Sequence, residues 1–173
     1  MTQNKLESLH RVVSYALANS NDAHNLKRGL TKETEHYAYP HVLSRLTEED
    51  VKNPNYEIVA LRVAGMIAAT GVPHSPDVQI GRWVQRNSTQ EGTETRLTQL
   101  VNMDLESAIS SIYRLIVSVN GKSGFNWYKL AETLLYWGDG KTDWSLNSRQ
   151  SVLRSYYISN YVESKDDQEE GQE

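Results

Sequence analysis

The chain contains no cysteine, which excludes a disulfide framework and any thiolate metal site. It has no run of about 18 apolar residues, so no segment has the composition of a membrane-spanning helix. Its first residues, MTQNKLESLHRVV, are polar and charged, without the apolar centre of a secretion signal. These absences fit a cytoplasmic protein. Proline is scarce, at 4 residues, and no period-2 alternation long enough for a strand can be found. Mean hydropathy is low at -0.61, yet 38% of the residues are apolar. A chain of 173 residues with that content can form one domain or two small helical lobes around a modest core.

A strong charge of either sign is also lacking once the tail is set aside. The net charge is -4, but residues 162–173 alone hold six acidic residues and one basic. The rest carries 17 basic and 16 acidic residues, a net of +1. The tail has no aromatic residue and little to bury, so it is expected to be disordered. A near-neutral body excludes a histone-like protein, and any phosphate contact must come from bases gathered by the fold.

What is present is helical periodicity. Leu6, Leu9, Val13 and Leu17 share one face of a first helix over about residues 4–18. A short second helix carries Leu26, Lys27 and Arg28. Pro40 opens another short helix, Thr47 with Glu48 to Asp50 suggests an N-cap, and Asn53-Pro54-Asn55 suggests a break. Tyr56 to Thr70 is the most apolar helix, closed by Gly71. Val72 to Asp77, with Pro73 and Pro76, is the clearest linker, with Asn87 to Thr93 as the other candidate boundary. Helices follow over 78–86, 94–101 and 104–119, then a turn at 120–124. Trp127, Leu130, Leu134 and Trp137, spaced 3, 4 and 3 apart, form an aromatic seam on one helix face. A last helix runs from Trp144 or Ser145 to about Tyr161. The expected class is all-α, with an N-terminal lobe over 1–76, a C-terminal helical bundle over 77–161 and a tail over 162–173. Trp127, Trp137 and Tyr157 are assigned to the core.

Patterns for catalysis fail one by one. In Gly121-Lys122-Ser123, Ile116 occupies the place of the first glycine of a phosphate loop, and no strand precedes it. The histidines are His10, His24, His36, His41 and His74. His36 and His41 are five apart across Pro40, not the i, i+4 pair of a helical metal site. Glu48 to Asp50 read as helix-start acids, and no nucleophile elbow is present. Asn87-Ser88-Thr89 matches a glycosylation acceptor by chance. No catalytic residue, metal site or cofactor is expected. A small all-α hydrolase would require His36, His41 and Glu48 to Asp50 to converge.

The basic residues are more suggestive. Arg82, Arg96, Arg114 and Arg154 each lie on a predicted helix beside apolar positions, and arginine grips phosphate with paired donors. Four segments in order carry a resemblance: Leu26-Lys27-Arg28; Ile80-Gly81-Arg82; Arg96-Leu97 through Leu100 and Asp104 to Tyr113-Arg114-Leu115; and Asn126-Trp127 through Leu134-Leu135-Tyr136-Trp137 to Arg154-Ser155-Tyr156-Tyr157. Over about residues 20–160 the chain resembles CasB, the small subunit of the type I-E CRISPR surveillance complex Cascade. Residues 31–55 and the acidic tail fall outside the pattern.

The resemblance implies a non-catalytic subunit of two helical lobes in an RNA-guided antiviral complex. Its implied partners are the other Cascade subunits, guide RNA, target DNA and a second copy of itself, with no membrane. Its implied role is to stabilise the R-loop through the backbones of the target and displaced strands. The matched segments offer Lys27, Arg28, Arg82, Arg114 and Arg154 as backbone contacts. Lys141 and Arg149 are added from their place around the last turn. The alternative is a helical protein–protein adaptor that touches no nucleic acid.

Overall fold

A computed structural model describes residues 4–88, 91–119 and 122–169, with backbone alone from 159 onward. Asn120 and Gly121 of the expected turn therefore lie outside the described residues. Those described form α-helices and short 3-10 turns without a strand, so the chain is all-α. It divides into two compact units, Met1–His74 with Trp127–Leu135 and Ser75–Asn126 with Tyr136–Glu173. The expected lobes were contiguous in sequence, whereas here the helix Trp127–Leu135 groups with the N-terminal unit.

The first unit is built on α1 (Glu7–Ala18), α2 (Ala23–Lys27), α3 (Tyr39–Val42) and α4 (Pro54–Thr70). Asn53-Pro54-Asn55 opens α4 instead of breaking the chain. The Asn53 side chain accepts from the Asn55 N–H at 3.0 Å, and Pro54 fills a first-turn position that needs no donor. Gly71 closes the helix at φ +63°, a left-handed conformation that favours glycine. Val59, Ala60, Leu61, Val63, Ala64 and Met66 are all buried. Helix α4 is thus covered on several sides, by α1, α2 and the helix Trp127–Leu135. That is why the latter packs here: it brings buried Trp127, Leu130, Ala131 and Leu134 to a neighbour with apolar surface left to cover.

Two buried charges sit in this apolar setting. Arg62 of α4 is 6% exposed and Glu35 is 3% exposed. Arg62 Nη1 donates to the Gly29 carbonyl at 2.6 Å and to Glu35 Oε2 at 2.9 Å. Glu35 Oε1 accepts from Lys32 Nζ at 2.9 Å and from the Tyr39 hydroxyl at 3.1 Å. Burial pushes the Glu35 carboxyl up, but the hydrogen bonds from Lys32, Arg62 and Tyr39 outweigh it and hold the group below the usual carboxylate range. The cluster fastens residues 29–39, which have little regular structure, onto α4.

The second unit contains α5 (Ile80–Asn87), α6 (Thr93–Leu100) and α7 (Leu105–Ser118). Naming Trp127–Leu135 as α8, the final helix α9 spans Asp143–Glu169 and also belongs to this unit. Its main packing is α5 against α9. A Cβ on Gly81 would fall 2.2 Å from the Val152 carbonyl and 2.7 Å from the Tyr156 nitrogen. Only glycine allows the two backbones to approach this closely. Helix α9 continues past the expected end at Tyr161 into the acidic segment, where Glu163, Lys165, Gln168 and Glu169 are favourable helix formers.

The aromatic seam is divided between the units. Helix α8 ends at Leu135, and Trp137 lies beyond it in a turn that Gly138 (φ +59°) and Gly140 (φ +76°) reverse. Both tryptophans are fully buried, each with its indole N–H satisfied. Trp127 donates to the Val72 carbonyl at 2.8 Å, and Trp137 to the Met103 carbonyl at 2.9 Å.

Removing Trp137 as Trp137→Ala should destabilise the protein by about 3–5 kcal/mol. An unchanged thermal transition would show that the ring is not core. The Glu35 cluster gives a pH test. A carboxyl held low in the folded state contributes stability that is fully present above its unfolded value of about 4.3 and is lost as pH falls through the lower folded value. Urea unfolding of Glu35→Gln should show a loss of about 3–5 kcal/mol near neutrality that narrows as pH falls below about 4. A constant difference at every pH would contradict this.

Candidate nucleic-acid interface

Lys27 and Arg28 lie in the first unit, where α2 runs into a 3-10 turn over Arg28–Leu30. Leu26 faces the core, which turns Lys27 into solvent and leaves Arg28 half-buried. The Arg28 guanidinium sits 4.2 Å from the centre of the exposed Tyr37 ring, and its Nη2 is 3.3 Å from His24 Nε2. Stacking on a ring engages the flat face of a guanidinium and leaves its N–H edge for other acceptors. Tyr37 was not foreseen, because it is distant from Arg28 in sequence and meets it only after the Glu35 cluster has folded residues 29–39 back.

The remaining candidates belong to the second unit. Arg82 is half-buried on α5, and its Nε is buried with no hydrogen-bond partner among the described residues. Arg114 is exposed on α7 between buried Ile112 and Leu115. Lys141 is exposed in the glycine-flanked turn, its backbone N–H donating to Asp139 Oδ1 at 2.9 Å. Arg154 is exposed on α9. Arg82 follows Gly81, and Arg154 precedes Ser155, so the α5–α9 crossing brings these two segments together. Among the described residues, Lys27, Arg114, Lys141 and Arg154 form no ion pair.

Arg149 corrects the expectation. It was placed with the phosphate contacts, but its side chain is inside, with the residue only 5% exposed. Nε donates to the Trp137 carbonyl at 2.9 Å, Nη1 to Val101 at 3.0 Å and Nη2 to Gly138 at 2.6 Å. The Ser145 hydroxyl donates to the same Trp137 carbonyl and accepts from the Gly140 N–H at 2.8 Å. Gly140 is favoured here by its φ of +76°, and a Cβ in its place would lie 2.9 Å from Arg149 Nη1, so the guanidinium would have to shift. Arg149 therefore satisfies carbonyls that the end of α6 and the turn after α8 leave without helical partners. It fixes the loop that displays Lys141 and does not itself reach solvent.

Tyr157 corrects another. It was assigned to the core, yet it is 43% exposed. Its hydroxyl donates to the Glu94 carboxylate, and that hydrogen bond pushes the phenol up.

The residues a hydrolase would need go to separate partners. His41 Nδ1 lies 3.2 Å from the Tyr15 hydroxyl and 3.7 Å from Asp22, while His36 packs on Tyr37 at 4.2 Å between ring centres. Thr47 and Asp50 cap one another, with the Thr47 N–H on Asp50 Oδ2 at 2.8 Å and the Asp50 N–H on Thr47 Oγ1 at 3.2 Å. Among the described residues, no three His, Asp or Glu side chains gather as metal ligands would.

The contrast between buried and exposed arginine has a direct test. Arg149→Met should lose at least about 2 kcal/mol in urea unfolding, because buried carbonyls are left unsatisfied. Lys141→Ala and Arg154→Ala should stay within about 0.5 kcal/mol of the parent. A fully stable Arg149→Met protein would contradict the internal role.

Comparison with known proteins gives a consistent picture. The sequence profile described as CRISPR-associated protein Cse2 matches residues 23–157. No curated protein matches the chain. A crystal structure of a CRISPR-associated protein of the Cse2 family from Thermus thermophilus is similar with a TM-score of 0.64 and 15% sequence identity. The match covers 87% of this chain and 97% of that one. At that identity the likeness shows a shared fold.

Proposed function

The chain belongs to the CRISPR-associated Cse2 family, and we propose that it acts as the non-catalytic small subunit of a type I-E Cascade complex. In that role it stabilises the R-loop by holding the phosphate backbones of the target and displaced strands. One observation carries the reading: four of the candidate basic side chains are set apart from those that are buried and from those already paired with an acid, such as Lys32 on Glu35. Arg62 and Arg149 are buried and bound to carbonyls or a carboxylate. Lys27, Arg114, Lys141 and Arg154 stand in solvent, with no ion pair among the described residues.

An exposed cation without an intramolecular acid can neutralise a phosphate and release its counterions. Such contacts position a strand but carry no sequence information. That division suits an RNA-guided complex, in which base pairing with the guide reads sequence and protein holds backbone. The near-neutral body implies weak binding by the isolated subunit. Neighbouring subunits and a second copy complete the basic channel around guide RNA and target DNA in this proposal.

Reversing Arg28, Arg114 and Arg154 to Glu should weaken target-DNA binding by the reconstituted complex about tenfold or more at moderate salt. Assembly, followed by gel filtration, should persist. Undiminished DNA binding by the assembled variant would instead favour a helical adaptor with no direct nucleic-acid contact.

A further inference from the structure

Between α6 and α9 of the second unit lies a groove of about 380 Å³. Gln150, Arg154 and Tyr157 line it from α9, at positions that share one helix face. Thr98 and Asn102 line it from α6 and the turn that follows, and Leu153 adds apolar surface. No carboxylate is among its described lining residues.

The chemistry of this lining is specific. Arg154 supplies a cation in solvent, Asn102 and Gln150 supply amides that both donate and accept, and Tyr157 supplies an aromatic face. Glu94 holds the Tyr157 ring by its hydroxyl tip, and Tyr156 meets it edge-on at 83° with ring centres 5.4 Å apart. A ring tethered at its tip and left 43% exposed can accept a stacked partner. The volume is at the small end of ligand sites, which begin near roughly 300 Å³. It suits one nucleotide unit. Duplex bases are already stacked and present no free face, so a base stacked on Tyr157 must come from a single strand.

We infer that this groove holds one nucleotide of a single strand, with its phosphate on Arg154 and its base stacked on Tyr157. The inference rests on the proposed contact with the displaced strand and adds to it a site that grips a base as well as backbone.

Fluorescence anisotropy of labelled oligo(dT), and of an abasic oligomer of equal length, tests this with the full chain at low salt. Tyr157→Ala should weaken oligo(dT) binding roughly 5- to 150-fold, the range set by base–aromatic stacking. Its affinity for the abasic oligomer should not change. Tyr157→Phe keeps the ring and loses the bond to Glu94, so it should bind oligo(dT) as the parent does. Arg154→Gln should weaken both ligands. If Tyr157→Ala leaves oligo(dT) binding unchanged, or lowers both ligands equally, the stacking site is overturned while backbone contact stands. A parent chain that binds neither oligomer at low salt overturns the groove as a nucleotide site, whereas the proposed backbone contact stands or falls with the charge reversals in the assembled complex.

Discussion

A guanidinium taken out of water must have its fork of N–H donors matched by acceptors, and much of this structure follows from where that happens. In the first unit Arg62 binds the Gly29 carbonyl and the Glu35 carboxylate. In the second, Arg149 binds the carbonyls of Val101, Trp137 and Gly138. In each case the acceptors include carbonyls of an irregular segment that helix hydrogen bonds do not reach. The apolar cores hold helices together, and the buried arginines hold the connections. Those connections carry Arg28 on its Tyr37 platform and Lys141 in its turn. A phosphate-binding side chain gains from a fixed base, because less rotamer freedom is lost when the ligand arrives.

The same residue type thus serves two ends, distinguished by surroundings. An arginine beside unpaired carbonyls becomes part of the interior, and one on a solvent-facing helix position stays available. The solvent-facing set includes Arg114 between core leucine and isoleucine, and Arg154 at the α6–α9 groove. In this account the small subunit adds to its assembly a set of charges at fixed positions on a helical frame. Sequence discrimination lies with the guide.

Much of the frame was legible in the sequence. Apolar spacing located every long helix, and the Gly71 cap fell where the capping rule put it. Three features were not legible, each for a physical reason. Pro54 read as a breaker because its value at a helix N-terminus depends on Asn53 supplying the cap. Trp137 continued the 3-4-3 spacing of Trp127, Leu130 and Leu134, but periodicity does not register a helix that has already ended at Leu135. Arg149 looked like a surface base because its acceptors are backbone carbonyls, which leave no trace in side-chain pattern. Gly81 was legible as part of a motif, and its reason emerged only with the close approach of α9.

The central claim is that exposed, unpaired bases of this chain contact phosphate. The most direct measurement is the slope of log affinity against log salt for target DNA, using a reconstituted complex that carries Lys27, Arg114, Lys141 and Arg154 all as Gln. The account predicts a slope shallower than the parent's, by about 0.7 to 0.9 for each phosphate that the variant no longer neutralises. An unchanged slope in an assembled, fully folded complex would contradict it.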